Sequence, residues 1–87
     1  MSYEYQSIRP QLFTEDGVAM LLKVGGNVRR HIKAAGAVRA FEAWEGVTGD
    51  SFTMTACLDY MLERREIREV TSEGTWGQYR VFCAPLE

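Results

Sequence analysis

Residues 54–82, MTACLDYMLERREIREVTSEGTWGQYRVF, change their hydrophobic period part-way along, and that change decides the fold. Met54, Cys57, Leu58, Met61 and Leu62 recur at the three- and four-residue steps of a core-facing helix. Asp50 stands where an N-cap belongs, so a helix is predicted over 51–65. Beyond Arg65 the period shortens. Glu66–Thr71 (EIREVT) and Gln78–Cys83 (QYRVFC) are rich in β-branched and aromatic residues and predict strands near 67–71 and 78–83. Gly74 and Gly77 mark the 72–77 connector as a projecting loop. Phe82 falls on the opposite face from Tyr79 and Val81, so both faces of that strand are expected to be partly covered.

Upstream, Thr14 is a candidate N-cap followed by Glu15 and Asp16, whose charges suit the positive end of a helix dipole. Val18, Leu21, Gly25, Val28, Ile32 and Ala35 form one apolar stripe, predicting a helix over 14–35 that ends in a left-handed cap at Gly36. Gly25-Gly26 in its middle costs about 2 kcal/mol relative to alanines. The pair either permits a close helix crossing or bends the helix. A strand of two or three residues at 37–39 and a short helix at 40–46 follow, and Val47-Thr48-Gly49 makes a turn. Residues 1–13 are expected as an extended arm, because Pro10 disfavours helical geometry at Arg9. Its Tyr3, Tyr5, Ile8, Leu12 and Phe13 are anchors for packing over the core. Residues 14–83 form the domain and 84–87 a tail, whose Leu86-Glu87 pair reads as an added expression junction. The expected core is Val18, Leu21, Val28, Ile32, Leu58, Met61, Leu62, Ile67 and Val81.

At 87 residues, 46% hydrophobic and 25% charged, the chain supports one small globular core. Its net charge of −2 does not announce a nucleic-acid binder. No apolar run approaches a membrane span and the N-terminus lacks a signal-peptide apolar region, so a cytoplasmic location is expected. Cys57, Cys83 and the lone His31 match no zinc-binding spacing, and the cysteines are expected reduced and buried. No nucleophile-elbow, metalloprotease or phosphate-loop motif occurs. This inventory points away from an enzyme and names no cofactor.

The element order is long helix, tiny strand, short helix, turn, helix and two-stranded hairpin. It resembles that of winged helix-turn-helix domains, an α+β fold of three helices plus a small β-hairpin wing. Residues 54–82 look like that family's third helix, entry strand, wing and exit strand, with the spacing Leu58-x-x-Met61-Leu62-x-x-x-Glu66-Ile67. Arg65-Glu66 departs from the pattern, since many members carry a glycine before this strand, and a less tight turn is expected. The chain is also similar to small phage-associated winged-helix proteins. The resemblance implies DNA-associated transcription regulation as the family's commonest occupation, although the fold hosts many functions.

With its apolar stripe inward, the helix over 51–65 would turn Phe52, Ala56, Asp59, Tyr60 and Glu63 outward, a face without Lys or Arg. Only Ser51, Thr53 and Thr55, near its start, offer neutral polar groups for base contacts. Asp59 and Glu63 read as a solvated face satisfied locally by Arg64. Between Gly17 and Phe41 there are five basic residues and no acidic one. Lys23, Asn27, Arg30 and Lys33 line the face opposite Val18, Gly25, Val28 and Ile32, either as a solvated stripe or as a contact surface. Two expectations result. One is a DNA-associated regulator, as monomer or dimer, that contacts phosphates through Lys23, Arg29, Arg30 and Lys33 and uses the helix start at Ser51, Thr53 and Thr55. The other is a protein-interaction or homodimerisation module using Phe52, Tyr60 and Trp76, with no DNA binding.

Overall fold

The computed structural model describes residues 2–86; Met1, at the start of the expected arm, and Glu87, expected as part of an added junction, lie outside them. The arm is helical rather than extended. A single turn, α1 (Tyr5–Ile8), runs into a 3-10 turn over Arg9–Phe13. Arg9 takes helical angles despite Pro10. Tertiary contacts overcome the local preference: Arg9 is bonded to Glu63 on a distant helix, and Leu12 is completely buried.

Thr14 ends this segment and caps the next helix. Its hydroxyl donates to the Gln11 carbonyl at 2.8 Å and accepts from the Gly17 N–H at 3.1 Å. The helix α2 (Glu15–Ala35) runs unbroken through Gly25-Gly26 to Gly36, which takes φ 83° and donates to the Ile32 carbonyl. Then come β1 (Ala37–Arg39), α3 (Ala40–Ala43), α4 (Ser51–Glu63), β2 (Arg68–Val70) and β3 (Val81–Cys83). Four helices and a three-stranded antiparallel sheet of order β1-β3-β2 make an α+β fold.

The hairpin is shorter than its sequence suggests, because Gly77–Tyr79 forms a 3-10 turn and β3 begins only at Val81. Both faces of β3 are covered as expected, with Val81 half-buried and Phe82 and Cys83 buried. The aligned row Val38, Phe82 and Glu69 is set by the register, and Phe82, not Val81, is fully buried. In α2 the buried arc is rotated from the expected stripe. Val24 and Val28 are fully buried while Val18 is 44% exposed, and Leu21 and Ile32 are half-buried. Asn27 drives this rotation: its Nδ2 donates to the carbonyls of Ala43 and Glu45, both at 2.9 Å, so a residue expected outward is buried. In α4 Leu58 and Met61 are buried as expected, and Leu62 is half-buried.

The turn after α4 is tight. Arg65 takes φ 60°, its N–H bonds the Leu62 carbonyl, and the Glu66 N–H bonds the Met61 carbonyl. That is a Schellman closure with arginine in the glycine position. Arg65→Gly should therefore raise stability by about 1 kcal/mol, the left-handed penalty less the extra chain entropy; urea denaturation measures it. Gly17→Ala should do the opposite. A Cβ there would lie 1.9 Å from the Gln11 carbonyl oxygen and 2.8 Å from the Leu12 Cα, both backbone. Overpacking of this kind costs about 1–3 kcal/mol, and protease cleavage within residues 5–13 should accelerate with it.

Candidate functional site

The face of α4 that the family resemblance would turn toward a partner is covered by the chain's own N-terminal segment. The Tyr3 hydroxyl donates to Asp59 Oδ2 at 2.7 Å, and the Tyr5 hydroxyl to Glu63 Oε1 at 2.6 Å. Arg9 grips both Glu63 oxygens, Nε to Oε1 at 2.8 Å and Nη2 to Oε2 at 2.7 Å. Tyr3 packs edge-on against Phe52, and Phe13 against Tyr60, each with ring centroids 5.7 Å apart. Asp59 is half-buried, and Glu63, although exposed, is bonded by Tyr5 and Arg9 and not by Arg64, whose guanidinium bonds Glu66 instead. Distance in sequence explains the error: these partners lie more than fifty residues away.

The neutral polar groups of α4 are also engaged. Thr53 is buried, and both its N–H and its hydroxyl donate to Asp50 Oδ2, at 3.0 and 2.9 Å. It is part of the helix cap and is unavailable to a base edge. The half-buried Thr55 donates to the Ser51 carbonyl at 2.9 Å, which leaves Ser51 as the exposed member of the trio. Phe52 and Tyr60 are half-buried beneath the segment, whereas Trp76 is 71% exposed.

Two exposed surfaces remain. On α2, Lys23, Arg29, Arg30 and Lys33 are all exposed, and among the described residues none of the four makes an ion pair. The second surface joins α3 to the β2–β3 connection. Phe41 and Tyr79 meet edge-on at 6.0 Å, 45% and 50% exposed, beside Trp76 on the same turn. Gly77, at φ 57°, turns the chain into that 3-10 turn, and Arg39 Nη1 fixes it by donating to the Tyr79 carbonyl at 2.8 Å. Phe41 and Tyr79 were not expected as contact residues. Tyr79 reads as a strand residue, and Phe41 as one residue of the short helix at 40–46. The glycine just before Gln78-Tyr79 is the signal that the strand starts later.

A groove of about 490 Å³ between α2 and the α3–α4 loop is lined by Thr14, Asp50 and Thr53, whose polar atoms cap helices, and by Asp16 and Lys23. Among the described residues, no three His, Cys, Asp or Glu side chains gather as a metal ion would require. Cys57 and Cys83 are free and buried, and burial pushes the Cys57 thiol up to about 12. Among the described residues, no helix is long and apolar enough to cross a membrane. No family model, curated protein or solved structure matches this chain. The surfaces must therefore be read from their own chemistry.

The N-terminal clasp should be pH-dependent with two limits. Arg9, and after it Tyr5, hold the Glu63 carboxyl down at about 2, so its contribution is complete above the ordinary carboxylate range and fades as pH falls toward 2. Burial, and then the bond to Glu63, raise Tyr5 to about 12, so its contribution is complete below pH 10 and fades as pH rises toward 12. The segment should release first at both extremes, which NMR shifts of the Tyr5 and Phe13 rings would follow. Arg9→Ala should move the acid limit up toward the ordinary carboxylate pKa of about 4.

Proposed function

We propose that this chain is a winged-helix protein-interaction module in which α4 does not read DNA bases. The element order from α2 to β3 supports the winged-helix reading, as does the sheet order β1-β3-β2, with the Thr71–Arg80 connection as the wing. One observation carries the functional reading: the outward face of α4 is occupied by residues 3–13, through Tyr3, Tyr5, Arg9 and Phe13. A duplex could not reach that face without displacing them. The contact surface instead lies at the wing, where Trp76, Tyr79 and Phe41 offer rigid aromatic area of the kind that anchors protein interfaces.

The test is a photo-crosslinking side chain at position 76, used in the source cell and followed by mass spectrometry of the crosslinked partner. Combining Trp76→Ala with Tyr79→Ala should cut affinity for that partner at least tenfold with the far-UV spectrum unchanged. Undiminished binding would remove the wing from the interface.

A second reading is favoured by the unpaired cations of α2: association with duplex DNA through phosphates alone, carried by Lys23, Arg29, Arg30 and Lys33. Four neutralised phosphates would give a slope of log K against log salt of roughly −3.6. Arg30→Ala with Lys33→Ala should reduce that slope by about half, equally for unrelated duplexes. No binding of a random duplex at low salt would retire this reading.

A further inference from the structure

We infer that two copies of this chain pair through the exposed face of α2, antiparallel and related by a two-fold axis that crosses that face midway between Leu22 and Gly26. This surface is separate from the wing, so the inference stands whether or not Trp76 binds a partner.

Four observations lead to it. Leu22, on the outward face of α2, is 67% exposed, the most exposed large apolar residue on a helix among the described residues, with Val18 a turn before it. Gly26, one turn after Leu22, has no internal reason to be glycine. A Cβ there would meet nothing within 4 Å, whereas one on neighbouring Gly25 would press on the Arg29 guanidinium at 3.2 Å. An exposed mid-helix glycine weakens a helix relative to alanine, and the compensation that fits is close approach by a second backbone or side chain. Charge along the same face is polarised. Glu15 stands at its start, Arg29, Arg30 and Lys33 at its end, and no ion pair among the described residues uses any of them. Finally, at 100° per residue, Glu15, Leu22, Gly26 and Lys33 lie within about 20° of one line along the helix.

Such a face is complementary to itself when reversed. About a two-fold axis midway between Leu22 and Gly26 on the exposed face, Leu22 of each copy enters the open space over Gly26 of the other. Glu15 of each then meets Lys33 of the other, and Val18 lies along the stem of Arg30. Every contact occurs twice, as an isologous interface requires. A parallel arrangement would instead set Glu15 against Glu15 and the basic residues against each other. The exposed ion pairs add little affinity but select the orientation, while Leu22 in the Gly26 space supplies the apolar contact. The Glu15 and Lys33 side chains so engaged are removed from other uses, and phosphate binding by Lys33 competes with pairing.

Sedimentation equilibrium of the whole chain from micromolar to millimolar concentration tests this. The expected result is a reversible monomer–dimer equilibrium. Leu22→Glu should leave a monomer with unchanged far-UV spectrum. Gly26→Ala separates an interface role from a folding role: it should raise the thermal midpoint of the monomer while weakening dimerisation at least tenfold. Lys33→Glu should weaken the dimer, and adding Glu15→Lys to it should restore affinity, a rescue that only the antiparallel register provides. A strict monomer at every concentration would overturn the inference. So would a dimer indifferent to both Leu22→Glu and Gly26→Ala, or a charge reversal without rescue.

Discussion

Arg80 is the residue through which the sheet, α4 and the N-terminal segment hold one another. Its guanidinium bonds both oxygens of Glu69 at 3.0 Å on the neighbouring strand, reaches Asp59 of α4 at 2.8 Å, and lies over the ring of buried Phe82. The other Asp59 oxygen takes the Tyr3 hydroxyl. Burial disfavours the charge on Arg80, but the bonds to Glu69 and Asp59 outweigh it and hold the group above its ordinary range. With side chains 18–22% exposed, this is a largely enclosed network. Breaking such a pair by deleting one partner costs about 3–5 kcal/mol, because the remaining charges stay enclosed. Here one cation answers two carboxylates that would otherwise repel across the junction of α4 and the sheet.

Local chemistry made much of the fold legible. Thr14 and Asp50 cap helices because their oxygens meet the N–H three residues on, and Gly36 ends α2 because it tolerates a left-handed backbone. These are short-range facts, and the chain states them directly. The rotation of α2 was not legible. Val18 and Val24 are equally apolar, and only the carbonyls of Ala43 and Glu45, waiting for a donor at the end of α3, make Asn27 the inward residue. Likewise β3 starts where the 3-10 turn stops, which alternation alone does not reveal.

The candidate site was less legible still, for a related reason. Asp59 and Glu63 are acidic residues on a helix, and in the absence of a known neighbour such residues read as solvated. Their partners, Tyr3, Tyr5 and Arg9, lie on a segment that Pro10 marked as extended. That preference is small beside the complete burial of Leu12 and two charge-assisted bonds from Arg9 to Glu63. Gly17 was the available clue. It sits in the first turn of α2, where alanine would serve the helix better, and the Gln11–Leu12 backbone lies where a Cβ would be.

Enclosing α4 on both sides decides where this molecule can meet anything else. One side of the helix packs Cys57, Leu58 and Met61 into the core, and the other is overlaid by residues 3–13, leaving Ser51 at its start and Glu63 at its end exposed. A helix in that position behaves as a central strut and needs apolar or paired side chains nearly all round. The internal bonding also withdraws charges selectively. Arg9, Arg64 and Arg80 are spent on Glu63, Glu66, Asp59 and Glu69, while the cations of α2 are left free. The slight net negative charge of the chain thus conceals a cluster of four exposed, unpaired cations on one helix, Lys23, Arg29, Arg30 and Lys33. Beside it on that helix lie Leu22 and a glycine that nothing inside the molecule requires.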